Sequence, residues 1–535
     1  MRGVITIAAV AAALLVTVGC GVQPHPGWDE PLEPQGPAMM SEAMVFLDQS
    51  FEELIVVRSE IRDEQSHLNV ERVETGESPS RMQVSADGSE LYVLNDKPRT
   101  LSIFEVGAES VEREDVVLES AYDVITVDPE GEFVLLSNSG QARDDVVVQN
   151  LNEVGIVDLR GAEPEARFMS LPSRAQNLEF MPPFDLGGES QRLAVALADS
   201  EVTLVDLTAT EAYDQWRRIP LTISQADSLR TPTQVVVDVN SGGDGPEKVS
   251  LFVLTQNDND VTEIVVQQSI RQDQHRKFDI SVNQLAAGQS PGRISMLTLP
   301  EGRRLLALDR QQPRFTLVDV SSGESATFSL PLSRPATELI TFTAEVAGDP
   351  GRTEKKVLVY AQDSTLVAVI SPETIALGSE TPSTGQTVHA IRMAAAPSTI
   401  RMDATGESNR AVALHAGGSD GFTVLNLQTN TEIPLRGNSL SEVVFDSTWA
   451  YGIFGNSPHM VRVDMASGHT RVFELPARAR ALYLSPDRDS VMVRHDGKAG
   501  RFTVLPVASP TPQDARLYEN VFLTNVLDRP AIDND

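Results

Sequence analysis

The chain has 535 residues, and 41% of them are hydrophobic, so it is long enough to bury a large core. Its formal net charge is −33, from 76 acidic and 43 basic residues. Such a charge repels phosphate backbones and anionic lipid head groups, which argues against nucleic-acid binding. It favours solubility, loose cation binding or a basic partner, although acids that only solvate the surface explain it as well.

The N-terminal residues are typical of an export signal. Met1 and Arg2 are followed by an apolar, uncharged run over residues 4–18, which is short for a membrane span. Residues 1–19 are therefore predicted to be a signal peptide. The next residue, Cys20, is the only cysteine of the chain, so an intramolecular disulfide is excluded.

The sequence Val-Thr-Val-Gly-Cys at residues 16–20 resembles a bacterial lipobox, although Thr17 stands where that pattern prefers Leu. The resemblance implies that Cys20 is lipidated and becomes the mature N-terminus. In a Gram-negative cell, Gly21 in place of Asp implies sorting to the outer membrane. An ordinary signal peptide cleaved near Gly19, which leaves a free thiol, is the alternative.

Prolines are dense after the cysteine, at positions 24, 26, 31, 34 and 37. Because proline fixes φ and has no amide donor, residues 20–40 are predicted to form an extended, unpaired tether. No later segment is long and apolar enough to suggest a membrane span, so attachment is expected through the lipid alone.

Short strands with similar turns repeat along residues 81–525. In the first unit, an apolar strand ends at Val84, an Asp-Gly turn follows at residues 87–88, and further strands are predicted at 91–95, 101–106 and 111–118. Several third strands end on an acidic or amide residue between apolar ones, which is expected to cap the following turn. These strand ends are Asp158, Asp206, Asp319, Asn426 and Asp464.

A repeat of roughly 40–60 residues predicts an all-β fold, a single β-propeller of four-stranded blades. About nine units are visible. Because nine-bladed rings are rare, about eight blades are expected, with seven and nine open. Residues 41–80 are expected to supply closing strands that complete the last blade, or a short helix within 41–62, and residues 526–535 a C-terminal tail.

The first unit resembles the YVTN-type propeller repeat. It has the Gly-x-x-Pro turn at residues 76–79, the Asp-Gly turn at 87–88, and the strand Leu-Tyr-Val at 91–93 that continues to Asn95. This family includes lactonase-like enzymes, surface-layer proteins and other secreted proteins. The resemblance therefore implies a fold more than a function.

Two motifs suggest catalysis only weakly. Residues 288–292 read Gly-x-Ser-x-Gly, but a strand follows Ser290 where a nucleophile elbow needs a helix, so an inter-blade turn is expected. The eight histidines form no zinc signature, although His415 and His495 both follow second strands and lie where loops meet at one face. No catalytic residue is assigned.

Acidic turns suggest calcium. Asp238, Asn240 and Asp244 lie in a Gly-rich segment with the spacing of a calcium loop, and residues 257–260 add a polar cluster. Val249 occupies the position at which an EF-hand loop has Glu. Because Asn, Asp and Gly are also ordinary turn residues, calcium is only a candidate cofactor, and no other cofactor is expected.

The sequence thus favours a membrane-anchored lipoprotein of the outer membrane or cell surface that acts as a propeller scaffold for an envelope protein or glycan. The alternative is a lactonase-like hydrolase with a cation and acidic residues in the propeller channel. An enzyme should gather acidic, His or Asn side chains from several blades at one end of the channel.

Overall fold

The computed structural model is an all-β ring of ten four-stranded blades, a β-propeller. In every blade the strands are antiparallel. The described residues are 33–62, 65–141, 149–186, 189–209, 215–221, 230–240, 248–256, 258–269, 278–346, 351–377, 387–403, 409–416, 421–437, 439–455, 457–497, 499–508 and 514–523.

The first five blades occupy the N-terminal half of the ring. Their strands are, for blade 1, β1 Gln35–Met39, β2 Met44–Asp48, β3 Glu53–Arg62 and β4 Gln65–Glu74; for blade 2, β5 Glu77–Val84, β6 Glu90–Lys97, β7 Arg99–Val106 and β8 Val111–Val117; for blade 3, β9 Val124–Val127, β10 Phe133–Ser137, β11 Glu153–Asp158 and β12 Glu165–Ser170; for blade 4, β13 Asn177–Phe180, the extra hairpin β14 Phe184–Leu186 and β15 Glu189–Gln191, then β16 Leu193–Leu197, β17 Glu201–Asp206 and β18 Trp216–Pro220; and for blade 5, β19 Pro232–Asn240, β20 Lys248–Thr255, β21 Asp260–Gln268 and β22 Phe278–Ala286.

The last five blades complete the ring. Their strands are, for blade 6, β23 Pro291–Leu299, β24 Gly302–Asp309, β25 Arg314–Asp319 and β26 Ser325–Ser329; for blade 7, β27 Glu338–Glu345, β28 Thr353–Tyr360, β29 Leu366–Ile370 and β30 Val388–Arg392; for blade 8, β31 Pro397–Met402, β32 Arg410–His415, β33 Gly421–Asn426 and β34 Thr431–Arg436; for blade 9, β35 Leu440–Phe445, β36 Trp449–Phe454, β37 His459–Asp464 and β38 Thr470–Glu474; and for blade 10, β39 Ala479–Leu484, β40 Ser490–His495, β41 Arg501–Pro506 and β42 Arg516–Tyr518. Short 3-10 helices occupy Pro372–Thr374 and Val521–Leu523.

Hydrophobic burial between blades holds the ring together. A cluster of buried apolar side chains fills each of the ten seams between neighbouring blades. The closing seam is the one between blade 1 and blade 10, where Phe46 packs against Phe502. Phe522, from the C-terminal 3-10 helix, contacts both of these aromatic side chains. A single sheet leaves both faces exposed to water, so stacking around a ring is what buries them.

The blade number corrects the expectation of about eight. The nine units visible from residue 81 onward are real blades, and the N-terminal strands add a tenth. Residues 35–74 do not complete the last blade or form a helix, because all four of their strands pair with one another. The end of the expected tether is paired as well, since Gln35–Met39 is the first strand of blade 1.

The connections between antiparallel strands alternate between the two faces of the ring. We call the face with the first-to-second and third-to-fourth connections the hairpin face. The expected caps are confirmed on this face, because the carboxylate or amide at each strand end accepts backbone N–H bonds from the next turn. These caps are Asp158, Asp206, Asp319, Asn426 and Asp464.

The first strands of neighbouring blades are in direct contact at the inner edge. The side-chain amide of Gln234 in blade 5 both donates to the carbonyl of Ile294 at 2.9 Å and accepts from its N–H at 3.0 Å. Arg293 of blade 6 pairs with Glu338 of blade 7 at 2.7 Å. Backbone and charged contacts of this kind fix the spacing between blades around the channel.

Among the described residues, no helix is long and apolar enough to cross a membrane.

Candidate functional site

An inserted hairpin distinguishes blade 4 from the other described blades. Strands β14 and β15 interrupt the connection between the first and second strands of that blade. The hairpin is anchored because Met181 and Phe184 are buried in the apolar seam between blades 4 and 5. Its other side turns toward blade 3, where it forms one wall of a pocket on the hairpin face.

This pocket, called here the hairpin pocket, has a volume of about 230 Å³. That is smaller than the roughly 300–1,000 Å³ of sites for drug-sized ligands, so it has room for one side chain or one small group. The lining residues come from two turns of blade 3 and from the hairpin segment of blade 4. They are Glu130, Glu132, Arg160, Pro183, Ser190 and Arg192.

The floor of the hairpin pocket is a buried arginine that joins the two blades. Arg192 of blade 4 donates from Nη2 to Asp128 in the first turn of blade 3, and its Nε lies 2.9 Å from Oε2 of Glu132. The side chains of Arg192 and Asp128 are 5% and 1% exposed, whereas that of Glu132 is 42% exposed. Glu132 therefore contacts both the floor and the solvent.

Arg192 is not saturated by these partners. Its Nη1 is buried and has no hydrogen-bond acceptor among the described residues. A buried donor without an acceptor costs about 1–3 kcal/mol, so an additional polar acceptor at the floor would be stabilising.

Blade 3 contributes a second arginine to the pocket lining, Arg160, which is more exposed than Arg192. Arg160 donates from Nε and Nη2 to the two carboxylate oxygens of Asp158, at 2.9 and 2.7 Å. Its guanidinium lies over the ring of Phe133, with Cζ 4.6 Å from the ring centroid, which is a cation–π contact. Hydrogen bonding to Arg160 lowers the pKa of Asp158 below its usual range and raises the pKa of Arg160.

The remaining charged residue of the lining is Glu130, which lies in the first turn of blade 3. It is exposed, and among the described residues its carboxylate has no hydrogen-bond or ion-pair partner. Its backbone N–H donates to Asp128, so the turn positions the side chain at the pocket rim. Glu130 is therefore a free carboxylate beside a partly exposed one, that of Glu132.

The lipidation site and the calcium candidates are only partly covered by the structure. Cys20 and Asp244 lie outside the described residues, and Asn240 ends strand β19. Asp238 is buried and accepts a 2.6 Å bond from Arg303, but burial raises its pKa above the usual range. The described residues contain no group of three or more potential metal ligands, and calcium binding by Asp238, Asn240 and Asp244 stays a prediction.

The Gly-x-Ser-x-Gly motif lies between blades, as expected. Ser290 precedes the first strand of blade 6, and its hydroxyl accepts a 2.8 Å bond from Nε of Arg310.

The two histidines singled out in the sequence have matching structural roles. Nε2 of His415 lies 2.8 Å from the hydroxyl of Thr423, and Nε2 of His495 lies 2.7 Å from that of Thr503. Burial lowers the pKa of both rings. Thr423 and Thr503 occupy the same buried position in the third strands of blades 8 and 10, and other blades also have Ser or Thr there. This recurring hydroxyl is a second repeat signal in the sequence, in addition to the acidic or amide residues at the strand ends. The other examples are Ser102, Thr203, Thr262 and Thr316.

The hairpin pocket was not anticipated from the sequence. A signal for it was present, because residues 181–192 separate two strands of blade 4 where most units have a short turn. The partners Asp128 and Arg192 are 64 residues apart, and no local pattern connects them.

Neither a protein-family model nor a curated protein matches this sequence. Among solved structures, the chain is similar to the dihydro-heme d1 dehydrogenase NirN, with 15% identity over 85% of this chain and 78% of that one and a TM-score of 0.38. It is also similar to AztD from Citrobacter koseri, with 8% identity, 71% and 92% coverage and a TM-score of 0.31. A third is the Cps50 (Swd1) β-propeller domain of Myceliophteria thermophila, with 12% identity, 81% and 97% coverage and a TM-score of 0.30. All three identities are below 25% and all three TM-scores are below 0.5, so these likenesses carry no information about the function of this chain.

Proposed function

We propose that this protein is an exported, lipid-anchored β-propeller that acts as a binding scaffold for a protein or glycan partner in the cell envelope. The observation that carries the proposal is the contrast between a closed, apolar-packed ring and the long stretches of sequence between strands that end at its hairpin face. In blades 4, 5 and 7 the strands are separated there by residues 181–192, 207–215, 241–247, 269–277 and 371–387. Variable loops on a rigid frame are where binding sites usually occur.

The lipid anchor is supported by the sequence at residues 16–20. We expect metabolic labelling with an alkyne fatty acid to modify the full-length protein, and the protein to fractionate with membranes. The Cys20→Ser variant should lose the label and move to the soluble fraction. Equal labelling of both proteins would refute lipidation at Cys20.

The scaffold is tested by crosslinking in intact cells. A photo-reactive amino acid at Ser190, in the inserted hairpin, should give a discrete adduct with an envelope component. The matched control carries the same amino acid at Gln312, which is exposed in a second-to-third connection on the other face. Adducts from neither position, or equal adducts from both, would contradict a partner that binds the hairpin face.

A further inference from the structure

We propose that the hairpin pocket binds the side chain of a Lys or Arg residue presented by a protein partner. This rests on the proposed scaffold function and deepens it, because it selects a basic protein segment in preference to a glycan.

The charges around the pocket support a cationic ligand. Both lining arginines already have carboxylate partners, Asp128 and Glu132 for Arg192 and Asp158 for Arg160. Because Glu130 adds a fourth carboxylate against the two guanidinium groups, the net charge around the pocket is negative. An anionic ligand would meet repulsion from the carboxylates of Glu130 and Glu132, whereas an ammonium or guanidinium group gains two charged acceptors.

The shape of the pocket favours one side chain of a peptide. A volume of about 230 Å³ matches a single long side chain better than a larger ligand. Arg160 lies over the ring of Phe133 and lines the pocket, where a ligand guanidinium can stack on it.

The net charge of the whole protein also favours a cationic ligand. At −33, it attracts basic segments over long range and speeds their encounter, although this attraction is not specific for one site. A test must therefore separate the pocket from the general field.

The experiment is a binding titration on the purified full chain. The probes are acetyl-Gly-Arg-Gly-amide and acetyl-Gly-Lys-Gly-amide, with the citrulline peptide as the uncharged counterpart of arginine and methyl α-glucoside as a sugar. We expect the two basic peptides to bind and the other two probes to bind at least about tenfold more weakly, since charged hydrogen bonds are lost.

Glu130→Gln is the decisive variant, because the carboxylate it removes has no partner in the described fold. It should weaken the binding of the arginine peptide by about tenfold. Glu163→Gln is the matched control, since Glu163 carries the same charge and is exposed in the turn between β11 and β12, but unlike Arg160 of that turn it does not line the pocket. It should leave binding within about twofold, because a single rim charge outside the site has a small effect.

Three results would overturn the proposal. They are binding of the citrulline peptide as tight as that of arginine, binding of the glucoside without the peptides, and equal weakening by the two variants. If any of these occurs while Ser190 still crosslinks a partner, the scaffold function stands and only the ligand of the pocket is wrong.

Discussion

Two seams of the ring contain a buried arginine between two carboxylates, but they differ in contact with water. At the closing seam, Arg72 pairs with Asp48 at 2.8 Å and Glu53 at 2.5 Å, and all three side chains are at most 3% exposed. It also donates to the carbonyl of Phe522 in the C-terminal 3-10 helix. At the seam between blades 3 and 4, Arg192 pairs with the buried Asp128 and with Glu132, which is 42% exposed.

One arginine and two carboxylates therefore have different roles in the two seams. Around Arg72 every charged group is sealed, so the cluster can only hold the last segment of the chain against the first blade. Around Arg192 one carboxylate reaches solvent beside the free Glu130, so a ligand has access to it. The difference comes from what covers the seam, the C-terminal helix in one case and the inserted hairpin with its open side in the other.

The largest expected effect comes from removing the sealed arginine. Arg72→Met leaves two buried carboxylates without a counter-charge, which should lower the free energy of unfolding by about 3–5 kcal/mol. Urea denaturation measures the change. The control is Arg480→Met, because the Arg480–Glu33 pair also spans the closing seam but is 44% and 56% exposed, so a loss of only about 0–1 kcal/mol is expected. Similar losses in the two variants would mean that the Arg72 cluster does not hold the seam.

A smaller effect is expected at the open seam. Arg192→Met leaves only Asp128 buried without a counter-charge, because water can hydrate Glu132. We therefore expect the free energy of unfolding to fall by about 2–3 kcal/mol in the same denaturation experiment. In contrast, Glu130→Gln removes no contact of the described fold and should change the unfolding free energy by less than about 0.5 kcal/mol. An Arg192→Met variant that is less stable than Arg72→Met would reverse the comparison.

The smallest effect concerns pH at a position away from both seam clusters. His495 is buried, with Nδ1 near the carbonyl of Arg478 and Nε2 near Thr503, and burial lowers its pKa below the usual 6.5. Arg501 lowers the pKa further, while Asp496 and the Arg478 carbonyl oppose the shift. Below about pH 6.5 the unfolded chain binds a proton that the folded chain resists, so this histidine reduces stability as the pH falls.

The stability advantage of the wild type over His495→Gln should therefore shrink between pH 7.5 and 5.5, as followed by thermal unfolding. The control is His469→Gln at an exposed turn position, where a surface substitution should change the free energy of unfolding by less than about 0.5 kcal/mol. A difference for His495→Gln that stayed constant, or grew toward acid, would show that the ring is not held neutral by burial.

Much of each blade could be predicted from local pattern. The Asp-Gly turn at residues 87–88 and the apolar strand that follows it are a hairpin signal with a physical cause, and blade 2 has that hairpin. The strand-end caps were also predictable, because an Asp side chain bonds to the backbone two residues along, as Asp319 does with Ser321. The number of blades was harder to predict. Nine units are visible from residue 81 onward and all nine are blades, but the rarity of nine-bladed rings favoured a prediction of about eight.

The sequence by itself determined the all-β class and the repeated hairpins, because strand alternation and turn chemistry act within about ten residues. Only the tertiary structure decided that the N-terminal strands form a tenth blade, since this depends on Phe46 packing against Phe502 and Phe522 at the other end of the chain. It also decided the hairpin pocket. Its buried Arg192 comes from blade 4 and its carboxylates from blade 3, and no local pattern brings such distant charges together until the seam between the two sheets has closed.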